Sequence, residues 1–381
     1  MDFAFTQDQE TLRGHLKDLL DEVCTPEYAA RCDDQATPPR EAYNALANNG
    51  WFGLIIPQEY GGTGGSAIDL AILLEEAGRH FEELAMWLFR TLTYGGYAVM
   101  LHGTKQQKEF FLPKVLKGEL SLCFGLTEPN SGSDASALTT RAEKSGDEYI
   151  INGGKLYTSG MDISDYCLLV TRTTKSEKQQ TGITNFLVDT KLPGIDVHKI
   201  KTLGQRAIGT TQVFYTDVKV PASAMLGELD KGWDAVDAYL WYERLCLSAA
   251  RIGAARQAFE FALDYAKNRI QFGKPIGSFQ AIQHKFADMK VMLDSAQTMV
   301  LRYAWLMEQG KAERGDTAVL KYLIGETYKS ISDQCLQVLG GYGYCNEYPM
   351  QRFFRDSRLA TIGGGTSEIQ KNIIAGSLGL K

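Results

Sequence analysis

Cys123-Phe124-Gly125-Leu126-Thr127-Glu128-Pro129-Asn130-Ser131-Gly132-Ser133-Asp134 is the stretch where a helical chain becomes a β-rich one. It reads as a short strand running into a polar turn of small hydroxyl residues. Exposed amides with the Thr127 and Ser133 hydroxyls can bind a polar ring or a phosphate, and the same residues can equally form an ordinary Asn-Ser-Gly turn. Upstream, Thr6-x-x-Gln9 is a capping box ahead of Leu12, Leu16, Leu19, Leu20 and Val23, an apolar stripe at helical spacing. Further helices are expected from Pro39 to Asn49 and at about 66–80 and 104–117. The glycine-rich run from Pro57 to Gly65 reads as a connector. Downstream, Ser121–Thr127, Ala137–Glu143, Tyr149–Asn152, Tyr166–Thr173, Thr184–Asp189 and Thr211–Val220 are short β-rich runs between turn signals, the pattern of an antiparallel sandwich or barrel-like unit. Long helical patterns return at about 233–269, 279–309, 315–340 and 366–378, as expected of a four-helix bundle. The fold class read from this order is α+β, with a helical domain over 1–120, a β domain over 121–228 and a helical bundle domain over 229–381.

The chain has 381 residues, too many for one ordinary core, and 44% of them are hydrophobic. Its net charge is −6 and its Lys and Arg residues are scattered, so no basic face is offered to nucleic acid or anionic lipid. No run has the length of a membrane span, and Met1-Asp2-Phe3-Ala4-Phe5-Thr6 has neither the apolar core of a signal peptide nor a basic amphipathic character. Seven dispersed cysteines without Cys-x-x-Cys spacing fit a reduced cytoplasm. Five isolated histidines leave no metal site and no Ser-His-Asp signature.

Two other stretches carry chemical interest. Arg269-Ile270-Gln271-Phe272-Gly273-Lys274-Pro275-Ile276 places an arginine at a helix end before a Gly/Pro loop. Such an arginine can fork onto a phosphate or simply complement the helix dipole. Gly363-Gly364-Gly365 opens directly onto the last helix and brings room and backbone N–H groups but no side chain.

Taken in order, Leu126-Thr127-Glu128-Pro129, Gly132-Ser133-Asp134, Asn152-Gly153-Gly154-Lys155-Leu156-Tyr157-Thr158-Ser159-Gly160, Arg269…Phe272-Gly273-Lys274-Pro275-Ile276, Gln337-Val338-Leu339-Gly340-Gly341-Tyr342-Gly343, Arg355-Asp356 and Gly365-Thr366-Ser367-Glu368 resemble the motifs of the acyl-CoA dehydrogenase family over nearly the whole chain. The resemblance implies an FAD-dependent α,β-dehydrogenation of an acyl-CoA thioester by a homotetramer, a dimer of dimers, that passes electrons to an electron-transferring flavoprotein. It implies that Phe124, Leu126, Thr127 and Ser133 line the flavin, with Ser133 also near the CoA arm. Tyr157, Thr158 and Ser159 match the segment that covers one flavin face and bonds its edge. Arg269, Phe272 and Gln280, with Gln337, Gly340 and Gly341 of a neighbouring subunit, match contacts to the pyrophosphate and adenosine. Thr366 and Glu368 stand at a helix start that meets the FAD phosphates, Glu368 replacing a frequent glutamine.

In many relatives the base is a glutamate two residues before the position of Thr366, and that position is Gly364 here. In the isovaleryl and long-chain group it precedes an arginine on a bundle helix, and this chain has Tyr242-Glu243-Arg244 there. Glu243 is therefore the expected catalytic base, and the surrounding Leu240, Trp241, Tyr242, Leu245 and Leu247 suggest a dry setting that raises its pKa. Arg244 matches an arginine that supports the substrate-side loop, and Gly364 is expected to offer its N–H to the thioester oxygen. Trp87 to Gly96 is expected to line the acyl pocket, Thr91 contacting substrate. Arg90 is read as a surface residue or a partner for a charged acyl end. The opening Met1-Asp2-Phe3 and the placement of Glu243 also resemble the crotonobetainyl-CoA reductase branch, so an enoyl-CoA reductase on the same site is the alternative. A non-redox flavin- or CoA-binding relative is a third reading.

Overall fold

The computed structural model describes residues 4–380; Met1-Asp2-Phe3 lies outside them. Seven helices open the chain: α1 (Gln7–Val23), α2 (Pro26–Gln35), α3 (Arg40–Asn48), α4 (Ala67–His80), α5 (Glu82–Arg90), α6 (Ala98–His102) and α7 (Lys105–Leu116). The Thr6 capping box forms as expected, its hydroxyl accepting from the Gln9 N–H while the Gln9 side chain accepts from the Thr6 N–H. Between α5 and α6 the chain makes a π-helix over Thr91–Tyr97. Such wide turns are rare and concentrate at functional sites.

Eight strands follow: β1 (Leu122–Gly125), β2 (Arg141–Ser145), β3 (Glu148–Ser159), β4 (Tyr166–Arg172), β5 (Ile183–Asp189), β6 (Ile195–Ile200), β7 (Thr210–Pro221) and β8 (Met225–Leu226). They form one sheet in the order β6-β7-β3-β2-β4-β5-β8, with β1 added against β4. Pairing is antiparallel except that β1 and β2 both run parallel to β4. A core of its own, including Cys123, Ile151, Leu169, Phe186, Val213 and Val218, fills this unit.

The last helices are α8 (Gly232–Asn268), α9 (Gln280–Glu308), α10 (Arg314–Leu339), α11 (Met350–Ser357) and α12 (Ser367–Ser377), with a two-strand hairpin of β9 (Ile270–Gln271) and β10 (Lys274–Pro275) after α8. One continuous apolar core runs through both helical regions. Its central seam is the crossing of α4 and α8. A methyl group at Gly78 would sit 2.0 Å from the Ala250 carbonyl oxygen, and one at Gly253 would sit 2.0 Å from that of Glu75. The two backbones touch where no side chain intervenes, which fixes α8, and Glu243 with it, against the N-terminal helices. Among the described residues no helix is long and apolar enough to cross a membrane.

Candidate active site

Glu243 sits on α8 with only 7% of its surface exposed. Burial raises its pKa above the ordinary glutamate value, opposed by the Tyr94 hydrogen bond and by Arg244, Arg90 and Arg251. The Tyr94 hydroxyl donates to Glu243 Oε2 at 2.5 Å. Tyr94 comes from the π-helix, and its ring stacks on Phe124 of β1 with centroids 4.6 Å apart. On the next turn Tyr97 stacks on Tyr242 at 3.9 Å, closing apolar surface beside the carboxylate. The N-terminal helices, the sheet and the bundle thus meet at one carboxyl group.

The glycine loop meets it from the other side. Gly364 has φ +71°, and a Cβ there would lie 3.6 Å from Glu243 Oε1. A carboxylate carried by α8 therefore occupies the space beside position 364, the place where many relatives were expected to carry theirs. Arg244 directs its Nε to the Gly364 carbonyl oxygen at 3.4 Å and so contacts the glycine loop. Among the described residues, no hydrogen bond uses the Gly364 N–H.

The polar turn after β1 is tied to β3 by a buried ion pair. Lys155, fully buried, donates to Glu128 Oε1 at 2.8 Å and to the Leu126 carbonyl at 2.9 Å. Leu156 N–H donates to the Thr127 carbonyl at 2.8 Å. Burial alone would raise the Glu128 pKa, but the Lys155 charge and hydrogen bonds from Lys155, Thr140 and Thr139 hold it at about 2. Two motifs far apart in sequence thereby become one wall, with Thr127 beside Tyr157, Thr158 and Ser159.

That wall suits the flavin implied by the sequence. Tyr157 is 62% exposed and has φ +59°, a conformation that a bulky residue adopts only under constraint. The β3–β7 register shifts at this residue, a bulge that turns the ring outward. Next to it, the Thr158 hydroxyl is buried without a hydrogen-bond partner. An exposed aromatic face beside an orphaned buried hydroxyl fits a planar, polar-edged ring such as isoalloxazine. Ser159 instead spends its hydroxyl on Thr210 at 3.2 Å, and Ser133 is exposed.

Arg269 ends α8 with its guanidinium 5.3 Å over the Tyr342 ring. Arg269 and the 340–344 turn share one face of the chain, with Phe272 93% exposed in the hairpin after α8. Gln280, Gln337, Gly340 and Gly341 are all exposed. At α12, the Thr366 hydroxyl caps the helix by accepting the Ile369 N–H. The neighbouring Glu368 carboxylate is held below its ordinary pKa by its own backbone N–H and by Thr366. The chain thus places an anion of its own at this helix start.

Two further expectations change. Thr91 is fully buried with its hydroxyl 2.7 Å from that of Tyr43, so its polar group serves the N-terminal core and not a ligand. Arg90 is not a surface residue: it is partly buried, donates to the Met86 carbonyl at 2.8 Å, and has its pKa lowered by burial, against the charges of Tyr94 and Glu243. Tyr94 belongs to the stretch expected to line the acyl pocket, whereas Lys321 and Gln370, which also meet here, are not singled out in the sequence. Gln370 Nε2 holds both the Gly364 and Gly365 carbonyls, at 3.2 and 3.1 Å.

Residues 6–119, 123–218 and 230–379 match the family models for the acyl-CoA dehydrogenase N-terminal, middle and C-terminal domains. The chain is 37% identical to the 3-(aryl)acrylate reductase of Clostridium sporogenes, over 98% of this chain and 99% of that protein. It is 34% identical to the caffeyl-CoA reductase-Etf complex subunit CarC of Acetobacterium woodii, over 98% and 99%. The butyryl-CoA dehydrogenase structure from Megasphaera elsdenii superposes with a TM-score of 0.95 at 32% identity, covering 99% of this chain and all of that one. The chain belongs to the acyl-CoA dehydrogenase family of FAD-dependent oxidoreductases acting on the CH–CH bond of acyl-CoA thioesters.

Proposed function

We propose that Glu243 is the acid-base residue of this enzyme, moving a proton to or from the α-carbon of an acyl-CoA thioester. The observation that carries this reading is the approach of its carboxylate to within 3.6 Å of a Cβ position at Gly364. An α-proton is weakly acidic, so a buried carboxylate of raised pKa beside a free backbone donor answers the chemical need. The Gly364 N–H would bond the thioester oxygen, with Arg244 holding the loop behind it. Tyr97, Tyr242 and Leu247 would exclude water from the proton-transfer path. FAD, when bound, supplies the partner that accepts or donates the hydride at the β-carbon. Phe124, Leu126, Thr127, Tyr157 and Thr158 would hold its ring system, and Arg269 with the exposed Phe272 and the 340–341 turn would meet the remainder.

Electron exchange with an electron-transferring flavoprotein is part of the proposal, supported by the Etf complex named for the Acetobacterium relative. The same proton transfer run backward reduces an enoyl-CoA, and the reductases among the relatives favour that direction as the second reading. Exposed Phe272 and Tyr344 support a homotetrameric, dimer-of-dimers assembly. Seven unpaired cysteines support a cytoplasmic setting. Three domains over 1–120, 121–228 and 229–381 complete the reading.

Anaerobic addition of straight, branched, cyclic and carboxylated acyl-CoA thioesters to the holoenzyme tests it. A substrate bleaches the flavin absorbance, and reoxidation by an enoyl-CoA panel establishes the direction. A purified protein that takes up no flavin would contradict the proposal.

A further inference from the structure

Lys321 lies on α10 with 1% of its surface exposed. A buried lysine ordinarily carries a carboxylate partner. Among the described residues this one forms no ion pair; its amine donates to the Gly365 carbonyl oxygen at 2.5 Å. Its Cε lies 4.0 Å from the Cβ position at Gly364, the same point that Glu243 Oε1 approaches to 3.6 Å.

The consequence follows from the glycines. Gly364 and Gly365 hold φ of +71° and +90°, and two adjacent glycines have little intrinsic preference for one peptide orientation. Their carbonyls are fixed by three side chains from three helices: Arg244 of α8 and Gln370 of α12 on Gly364, Gln370 and Lys321 of α10 on Gly365. Arg244 and Lys321 both bring a charge, and Lys321 makes the closer contact of the two. These contacts fix the two peptides that follow Gly364 and so anchor the loop at that residue, whose own N–H, in the preceding peptide, has no partner among the described residues.

We propose that Lys321 is a positioning residue for thioester recognition, its ammonium locking the Gly364–Gly365 loop so that the Gly364 N–H faces the acyl carbonyl. This rests on the proposed role of Gly364. Arg251, Arg244 and Glu243 face the amine from α8, Glu326 from its own helix and Glu368 from α12. Burial, reinforced by the two arginines, lowers its pKa to about 7. The lock therefore tightens below neutrality and weakens above it, since a neutral amine is the poorer donor.

Calorimetric binding to the oxidised holoenzyme tests this, with crotonyl-CoA, which has the carbonyl, and butyl-CoA, a thioether that lacks it. Wild-type protein is expected to lose about tenfold in crotonyl-CoA affinity between pH 6 and 8.5. Lys321→Met should bind crotonyl-CoA about tenfold more weakly at pH 6 and show no such step at neutrality, while its butyl-CoA affinity stays unchanged. Lys321→Arg, charged throughout, should keep crotonyl-CoA affinity at pH 8.5. Wild-type affinity and pH dependence in Lys321→Met would overturn the proposal and leave the Gly364 assignment standing. Equal loss of both ligands would reduce Lys321 to a structural residue. Equal binding of the two ligands by wild-type protein would remove the Gly364 assignment and this proposal with it.

Discussion

The Tyr94 hydroxyl donates to Glu243 Oε2 at 2.5 Å while the Tyr94 ring lies flat on Phe124. A donor aimed at a carboxylate stabilises its charged form, so Tyr94 restrains the rise in pKa that burial imposes on Glu243. Tyr94→Phe keeps the ring and removes the donor. The Glu243 pKa should rise further, because its ionised form loses a charge-assisted hydrogen bond. In the dehydrogenation direction the base must be ionised, so the acid limb of kcat/KM should move to higher pH. An unmoved limb would mean that Tyr94 does not tune the base.

Gly364 holds a left-handed backbone at φ +71°, where a side chain is costly. Gly364→Ala would hold φ +71° at a cost of about 1–2 kcal/mol and bring a methyl within 3.2 Å of Leu247. The variant should melt a few degrees lower and bind thioesters more weakly, with its flavin content unchanged. Thermal denaturation and ligand titration read the two effects separately.

Glu128 and Lys155 predict an acid sensitivity. The Glu128 pKa is depressed from 4.5 to about 2, so its stabilisation is complete above pH 4.5 and is lost as pH falls toward 2. The shift corresponds to about 3 kcal/mol. Glu128→Gln should destabilise the protein by a similar amount at pH 7 by leaving Lys155 buried without its counter-charge. Urea denaturation at pH 7 and pH 3 should show the variant penalty shrinking at the lower pH.

Much of this arrangement is legible in the sequence where pattern and physics coincide. The Thr6 capping box, the α4 and α7 boundaries and most strands follow from local signals. The strand β6 was missed because Ile195 to Ile200 is a partly exposed edge with His198 and Lys199 breaking any apolar run. The helices around Trp87 to Gly96 show no amphipathic period because nearly every residue there is buried. Glu243 was reached through its resemblance to one group of relatives; apolar neighbours alone do not distinguish it from a solvated helix carboxylate. Tyr94 falls in the stretch expected to line the pocket, but its bond to Glu243 carries no local signal, since the two lie 149 positions apart. Lys321 did carry one: Thr317, Leu320, Ile324 and Tyr328 place it on the buried face of its helix.

Removing the buried charge at Glu243 should stabilise the fold. Its pKa is raised above 4.5, so the wild-type protein is most stable below that pH and loses stability as pH rises through the folded-state value. Glu243→Gln does not titrate. Its melting temperature should match wild type near pH 4 and exceed it at pH 8, as measured by calorimetry.

The most direct measurement is stopped-flow bleaching of the flavin under anaerobic conditions, comparing wild type with Glu243→Gln on the best acyl-CoA of the panel. The variant should keep its flavin and its affinity for the thioester while the bleaching rate falls by roughly 10²–10⁴-fold, the usual contribution of a positioned base. A rate equal to wild type would contradict the assignment of Glu243 as the base.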